Sequence, residues 1–147
     1  MKTAAKNSDR TMPIDLVNRF APTHLQCTFN VRGKVISLAT NSADLLSRIA
    51  NLTPEWGEAD GGQPDCSWRI VTEPEMDEVS KSVALRSRYV SEDGISFVTI
   101  GRRSFLAYDE RTRRGISFLS EGLIRDPTSF VETFLPGFLS LLPDGMR

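Results

Sequence analysis

The stretch LRSRYVSEDGISFVTIGRRSFLAYDERTRRGISFLS, Leu85 to Ser120, decides how this chain folds. Leu85 to Ser91 reads as a strand, Glu92-Asp93-Gly94 as a tight hairpin turn, and Ile95 to Ile100 as the returning strand. Gly101-Arg102-Arg103-Ser104 turns the chain again, Phe105 to Asp109 continues, Glu110 to Arg114 is a charged turn, and Gly115 to Ser120 is the last strand. Turns this short join antiparallel neighbours, because a parallel crossover needs roughly a dozen residues or more. With Cys66 to Thr72 just upstream, a run of about five short strands is expected, paired mainly as an antiparallel meander.

Towards the N-terminus, His24 to Val31 alternates in the manner of a strand, Arg32-Gly33-Lys34 turns, and Val35 to Ala39 completes a first hairpin. Ala43 to Leu52 is predicted as a helix, capped by Asn41 or Ser42, with Asp44 in its first turn and Leu45, Leu46, Ile49 and Leu52 on its apolar face. Thr53-Pro54 ends it. Residues 57–65 are expected as a flexible acidic loop and Glu73 to Ser82 as a polar one. Residues 1–12 read as a disordered tail and 13–22 as a loose lead-in.

Towards the C-terminus, residues 126–142 read as a strongly apolar helix. Asp126 is placed to cap it, and Pro127 sits where a missing N–H costs nothing. Phe130, Val131, Phe134, Leu135, Phe138, Leu139, Leu141 and Leu142 give one wide stripe that must be buried, either on the chain's own sheet or against another domain. Pro136 is expected to kink this helix, since it removes the bond to the Glu132 carbonyl. The expected architecture is α+β: a curved, mainly antiparallel sheet of about six or seven strands with two helices packed on one face, residues 13–147 forming a single domain.

Composition narrows the function classes. Eighteen basic and nineteen acidic residues leave a formal net charge of −1, which gives no global attraction to nucleic acid or to an anionic membrane. No stretch reaches the ~18 apolar residues that span a bilayer, and Met1 to Arg10 has no apolar core of a secretory signal, so the expected location is the cytoplasm. The two cysteines, Cys27 and Cys66, alternate with apolar neighbours and read as buried reduced thiols.

Chemistry-bearing patterns are sparse. The single histidine, His24, has no motif around it, and the cysteines have no zinc-finger spacing. Gly61-Gly62 lacks the lysine and hydroxyl of a phosphate-binding loop, and Glu73, Glu75, Asp77 and Glu78 form a solvated run broken by a proline. No cofactor or metal is expected. Arg102 and Arg103 in one turn, with Arg111, Arg113 and Arg114 in the next, suit carboxylate or phosphate recognition on a partner. Successive turns of a meander lie at opposite ends of a sheet, so the two groups need not touch. Nearby Asp109 and Glu110 neutralise much of their field.

The run Gly33-Lys34-Val35-Ile36-Ser37-Leu38-Ala39-Thr40-Asn41-Ser42-Ala43-Asp44-Leu45-Leu46 resembles the start of bacterial proteins related to the HPr kinase/phosphorylase, whose small N-terminal domain carries a Gly-x-x-x-x-Leu-x-Thr-(Asp/Asn)-Ser hairpin-to-helix segment. The later strands around Asp93-Gly94 and the closing Phe130-Val131-Glu132 to Leu141-Leu142 look similar too. In that family such a helix leads into the strand before the nucleotide-binding loop. That loop and the catalytic residues beyond it have no counterpart up to Arg147, so the resemblance implies the accessory part and carries over no catalytic residue.

The resulting expectation is a noncatalytic accessory or interaction domain, not an enzyme, that positions a protein partner or an adjoining kinase-like domain. The expected contact residues are Arg102, Arg103, Arg111, Arg113 and Arg114 together with Phe130, Phe134 and Phe138 of the terminal helix. The alternative is a small-ligand-binding domain with an apolar pocket between sheet and helices, lined by Trp56, Trp68, Tyr89, Phe97 and Tyr108. A homodimer built on a sheet edge or on the terminal helix is a further expectation.

Overall fold

The computed structural model of the chain describes residues 22–31, 33–52, 55–59, 62–74, 87–101 and 103–143. The expected tail at 1–12, nearly all of the lead-in at 13–22, most of the polar loop after Glu73, and Arg102 lie outside the described residues. In chain order the elements are β1 (Leu25–Val31), β2 (Lys34–Thr40), α1 (Ala43–Leu52), β3 (Gly57–Glu58), β4 (Cys66–Glu73), β5 (Ser87–Glu92), β6 (Ile95–Ile100), β7 (Ser104–Asp109) and β8 (Arg114–Ser120). There follow α2 (Glu121–Arg125), α3 (Pro127–Ser129), a π-helical turn (Phe130–Phe134) and α4 (Leu135–Leu141).

The strands form one open sheet in the order β3-β1-β2-β4-β8-β7-β6-β5. All seven strands read from the sequence are present, and the eighth, two-residue β3 lies inside the stretch expected as a loop. The hairpins follow from their turns. Asp93 and Gly94 have φ of 53° and 78°, the left-handed pair that a two-residue turn between twisted strands requires. The expected single meander is corrected in one respect. β5 to β8 do form an antiparallel meander, but β4 sits at the centre of the sheet, parallel to both β2 and β8. The segment from Asn41 to Asp65, with α1 inside it, is the long connection that a parallel β2–β4 pair needs.

The side chains of one sheet face build the core. Ile36, Leu38, Trp68, Ile70, Val98, Ile100, Leu106 and Leu119 meet Leu45 and Ile49 from α1 and Leu123, Ile124, Phe130, Phe134, Phe138, Leu141 and Leu142 from the C-terminal helices. Burying each such side chain contributes about 1.5–3 kcal/mol. An unbroken aromatic series runs through this core: Trp68 stacks on Tyr108 at 5.6 Å and meets the Phe138 ring at 4.9 Å, and Phe138 stacks on Phe134 at 5.7 Å.

The terminal helix differs from the expected single kinked rod. Asp126 caps it as expected, accepting from the Ser129 N–H at 3.1 Å, with Pro127 in the first turn. The break comes ahead of Pro136, where the Leu135 N–H donates to the Phe130 carbonyl five residues back. A proline ring at 136 would collide with the Glu132 carbonyl in a regular α-helix, and a widened π turn directly upstream relieves that contact. An additional short helix, α2, precedes it, held by an Arg125–Glu121 ion pair at 3.1 Å and by Arg48 of α1, which donates to the carbonyls of Ile124 (3.2 Å) and Arg125. A cation on the last carbonyls of a helix meets the negative end of its dipole.

Candidate docking surface

The segment Thr40-Asn41-Ser42, central to the family resemblance, is fully occupied by structural hydrogen bonds. Asn41 donates from Nδ2 to the Thr72 carbonyl (2.9 Å) and accepts the Thr72 N–H at Oδ1 (2.8 Å), extending the β2–β4 ladder with a side chain. Ser42 Oγ accepts the Leu45 N–H (3.1 Å) and is therefore the helix cap, while Thr40 Oγ1 accepts from the Ser42 N–H (3.2 Å). These residues order a crossover.

The expected contact residues separate into distinct groups. Phe130, Phe134 and Phe138 are 0%, 1% and 4% exposed. They are corrected from surface to core: the stripe folds back onto the chain's own sheet, and its rings pack on one another and on Trp68. Arg103, Arg111, Arg113 and Arg114 are exposed, with Arg103 at one end of β7 and the other three at the opposite end. The length of β7 sets the two groups roughly 17–20 Å apart. Asp109 partly neutralises the second group. Its Oδ1 accepts the Arg111 N–H at 2.9 Å and lies 3.8 Å from the Arg111 guanidinium. The Arg111 N–H is the main cause holding the Asp109 carboxyl below its ordinary value.

The aromatics expected around a pocket do not converge either. Trp68 and Tyr108 are core, and Trp56 packs between Phe29 and Phe138. Tyr89 and Phe97 are 52% and 41% exposed and lie on opposite faces of the sheet. Between sheet and helices, among the described residues, Trp68, Tyr108, Phe134 and Phe138 pack on one another.

What the sequence reading missed is the second face of the sheet. Strand pairing places Val90, Phe97, Ala107 and Ile116 in one row across β5, β6, β7 and β8, with Thr99, Phe105 and Phe118 in the next row. Val90 is 43% exposed, Phe105, Ala107, Ile116 and Phe118 are half-buried, and the Phe105 and Phe118 rings lie 5.3 Å apart. The helices cover the other face. A shallow depression of about 560 Å³ opens here, lined by Val90, Phe97, Thr99, Gly101, Arg103, Ser104 and Phe105. Among the described residues, only Arg103 of the expected arginines borders it. The signal was available: in Phe97-Val98-Thr99-Ile100 and Phe105-Leu106-Ala107-Tyr108 apolar residues occupy both parities, as in strands with two apolar faces.

Reactive groups lie away from this face. Cys66 is buried and Cys27 half-buried, both reduced, and burial pushes each thiol up to about 11. β2 separates their strands by two sheet spacings, about 10 Å, beyond the reach of a disulfide. Burial, with the neighbouring Cys66 second, raises the Tyr108 phenol to about 12. Among the described residues no three His, Cys, Asp or Glu side chains group as metal ligands, and no helix is long and apolar enough to cross a membrane.

Comparison of the chain with protein-family models, with curated proteins and with solved structures finds no match.

Proposed function

We propose that this chain is a noncatalytic interaction domain that positions a protein partner or a neighbouring catalytic domain, and that it does so with the uncovered face of its sheet. One observation carries the reading: the row Val90, Phe97, Ala107 and Ile116 stays accessible on the face the helices do not cover, with exposed Arg103 at its margin. A contiguous exposed apolar patch rimmed by polar groups is the kind of surface that interaction sites present. The resemblance to the N-terminal domain of HPr kinase/phosphorylase-related proteins agrees with such a role and rests on the sequence segments alone. The contact surface is reassigned relative to the sequence reading, from the terminal helix to the sheet. Incubation of the purified chain with ATP, magnesium and candidate phosphoacceptors should give no turnover above a protein-free control; sustained phosphotransfer would refute the noncatalytic reading.

A second reading is favoured by the depression beside Phe97 and Phe105, whose apolar lining with one guanidinium at its rim suits a small amphipathic anion. A ligand that binds only the folded state raises the melting midpoint. Silence across a broad panel of such compounds would dispose of this alternative.

A further inference from the structure

The two edges of the sheet are built differently. One edge strand, β3, is two residues long; the other, β5, is six residues long and pairs with β6 without a bulge or a proline. Short edge strands are a common protection against edge-to-edge pairing. β5 lacks that protection, and all six of its residues are exposed.

The register of β5 fixes which backbone groups are free. The two-residue turn at Asp93-Gly94 makes Glu92 and Ile95 a hydrogen-bonded pair. Val90 with Phe97 and Arg88 with Thr99 are then hydrogen-bonded pairs as well. The N–H and C=O groups of Ser87, Tyr89 and Ser91 therefore point away from β6, and among the described residues no strand lies beyond them.

We propose that β5 pairs with β5 of a second copy, antiparallel, with Val90 on the two-fold axis. In this register Tyr89 and Ser91 exchange backbone hydrogen bonds with Ser91 and Tyr89 of the second copy. Arg88 then lies directly opposite Glu92 of the second copy, twice by symmetry. Arg88, Val90 and Glu92 share one face, so the charged pairs flank a Val90–Val90 contact, and Phe97 lies beside Val90 on each side. Among the described residues neither Arg88 nor Glu92 has an ion pair within its own chain. Slipping the register by one step in either direction that keeps the hydrogen bonds sets Arg88 against Val90, or Glu92 against Val90, and gives up the match. An isologous interface requires such self-complementarity, and the six-residue segment Ser87-Arg88-Tyr89-Val90-Ser91-Glu92 has it. This dimer leaves the rest of the apolar face free and does not depend on what docks there.

Light scattering across a series from micromolar to near-millimolar protein should show a monomer–dimer equilibrium. Arg88→Glu or Glu92→Arg alone places like charges in register and should raise the dissociation constant roughly tenfold to a hundredfold. The double variant R88E/E92R should restore the dimer, and an equimolar mixture of the two single variants should form a heterodimer in preference to either homodimer. Val90→Cys should give a symmetric disulfide dimer under mild oxidant, since non-hydrogen-bonded pairs bring side chains closest. A strict monomer at every concentration would overturn the proposal, as would single variants that dimerise like the parent chain. Either result leaves the proposed docking role of the sheet face standing, because partner binding read out by Phe97→Lys does not depend on self-association.

Discussion

Gly115 supports the core through what it lacks. It sits in β8 directly between Trp68 of β4 and Tyr108 of β7. A Cβ placed there would lie 2.3, 2.4 and 2.5 Å from three atoms of the Trp68 indole, Cδ2, Cε2 and Cε3. Carbon atoms in ordinary contact stand about 3.5–4.0 Å apart, so Gly115→Ala must push the indole or the strand back by more than about 1 Å. Neither is free to move. The indole is 2% exposed, stacked on Tyr108 and held edge-on by Phe138. The β8 backbone is locked between two strands, with the Ser67 N–H donating to the Arg113 carbonyl beside it at 3.0 Å. Overpacking of this kind costs about 1–3 kcal/mol, and the rigid surroundings place Gly115→Ala at the upper end. Urea denaturation followed by tryptophan fluorescence should show the midpoint fall by the corresponding amount. The control is a double-mutant cycle with Trp68→Leu, which removes the indole. In that background Gly115→Ala should cost nothing, or gain about 0.5–1 kcal/mol from the lower backbone entropy of alanine. A Gly115→Ala protein as stable as the parent, or a penalty unchanged when Trp68 is leucine, would refute the steric account.

Asn41→Ala should leave the Thr72 N–H and C=O without partners and cost about 1–3 kcal/mol in chemical denaturation, with faster amide exchange at Thr72. Arg48→Ala should lower stability by about 1–2 kcal/mol by uncapping α2, with exchange increases confined to residues 121–125. The two thiols give a pH test. Burial raises both folded values from 9.0 to about 11, so the stability they add is complete below pH 9.0 and is lost as pH rises through about 11. At mildly alkaline pH both should therefore react with a disulfide reagent far more slowly in the folded than in the unfolded chain, Cys66 the slower of the two.

Much of the architecture was legible because it is encoded locally. Alternation with turns at Asp93-Gly94 and Gly33 marks the hairpins, and Asp126-Pro127 marks the start of a helical segment. The central place of β4 was not legible in the same way. No tight turn ties it to a neighbour, and its position follows from parallel pairing to strands distant in the chain. Its adjacent buried Ile70 and Val71 are the trace that position leaves in sequence. The spacing of Phe130, Phe134 and Phe138 gave a correct stripe but left open whether its own sheet or another molecule buries it, because an apolar stripe looks alike in both cases; burial on the sheet removes these residues from the contact surface. Asn41 and Ser42 both looked like helix caps. The cap fell to Ser42, and the amide instead met Thr72, a pairing no local pattern announces. Gly115 carried no signal, since its reason is an indole on another strand.

The proposed docking role of the sheet face is open to one direct measurement. An isotopically labelled sample of the chain, titrated with the catalytic domain of an HPr kinase/phosphorylase-related protein, should show saturable shifts centred on Val90, Phe97, Thr99 and Phe105, abolished by Phe97→Lys. Shifts centred on the C-terminal helices, or a complex indifferent to Phe97→Lys, would contradict it.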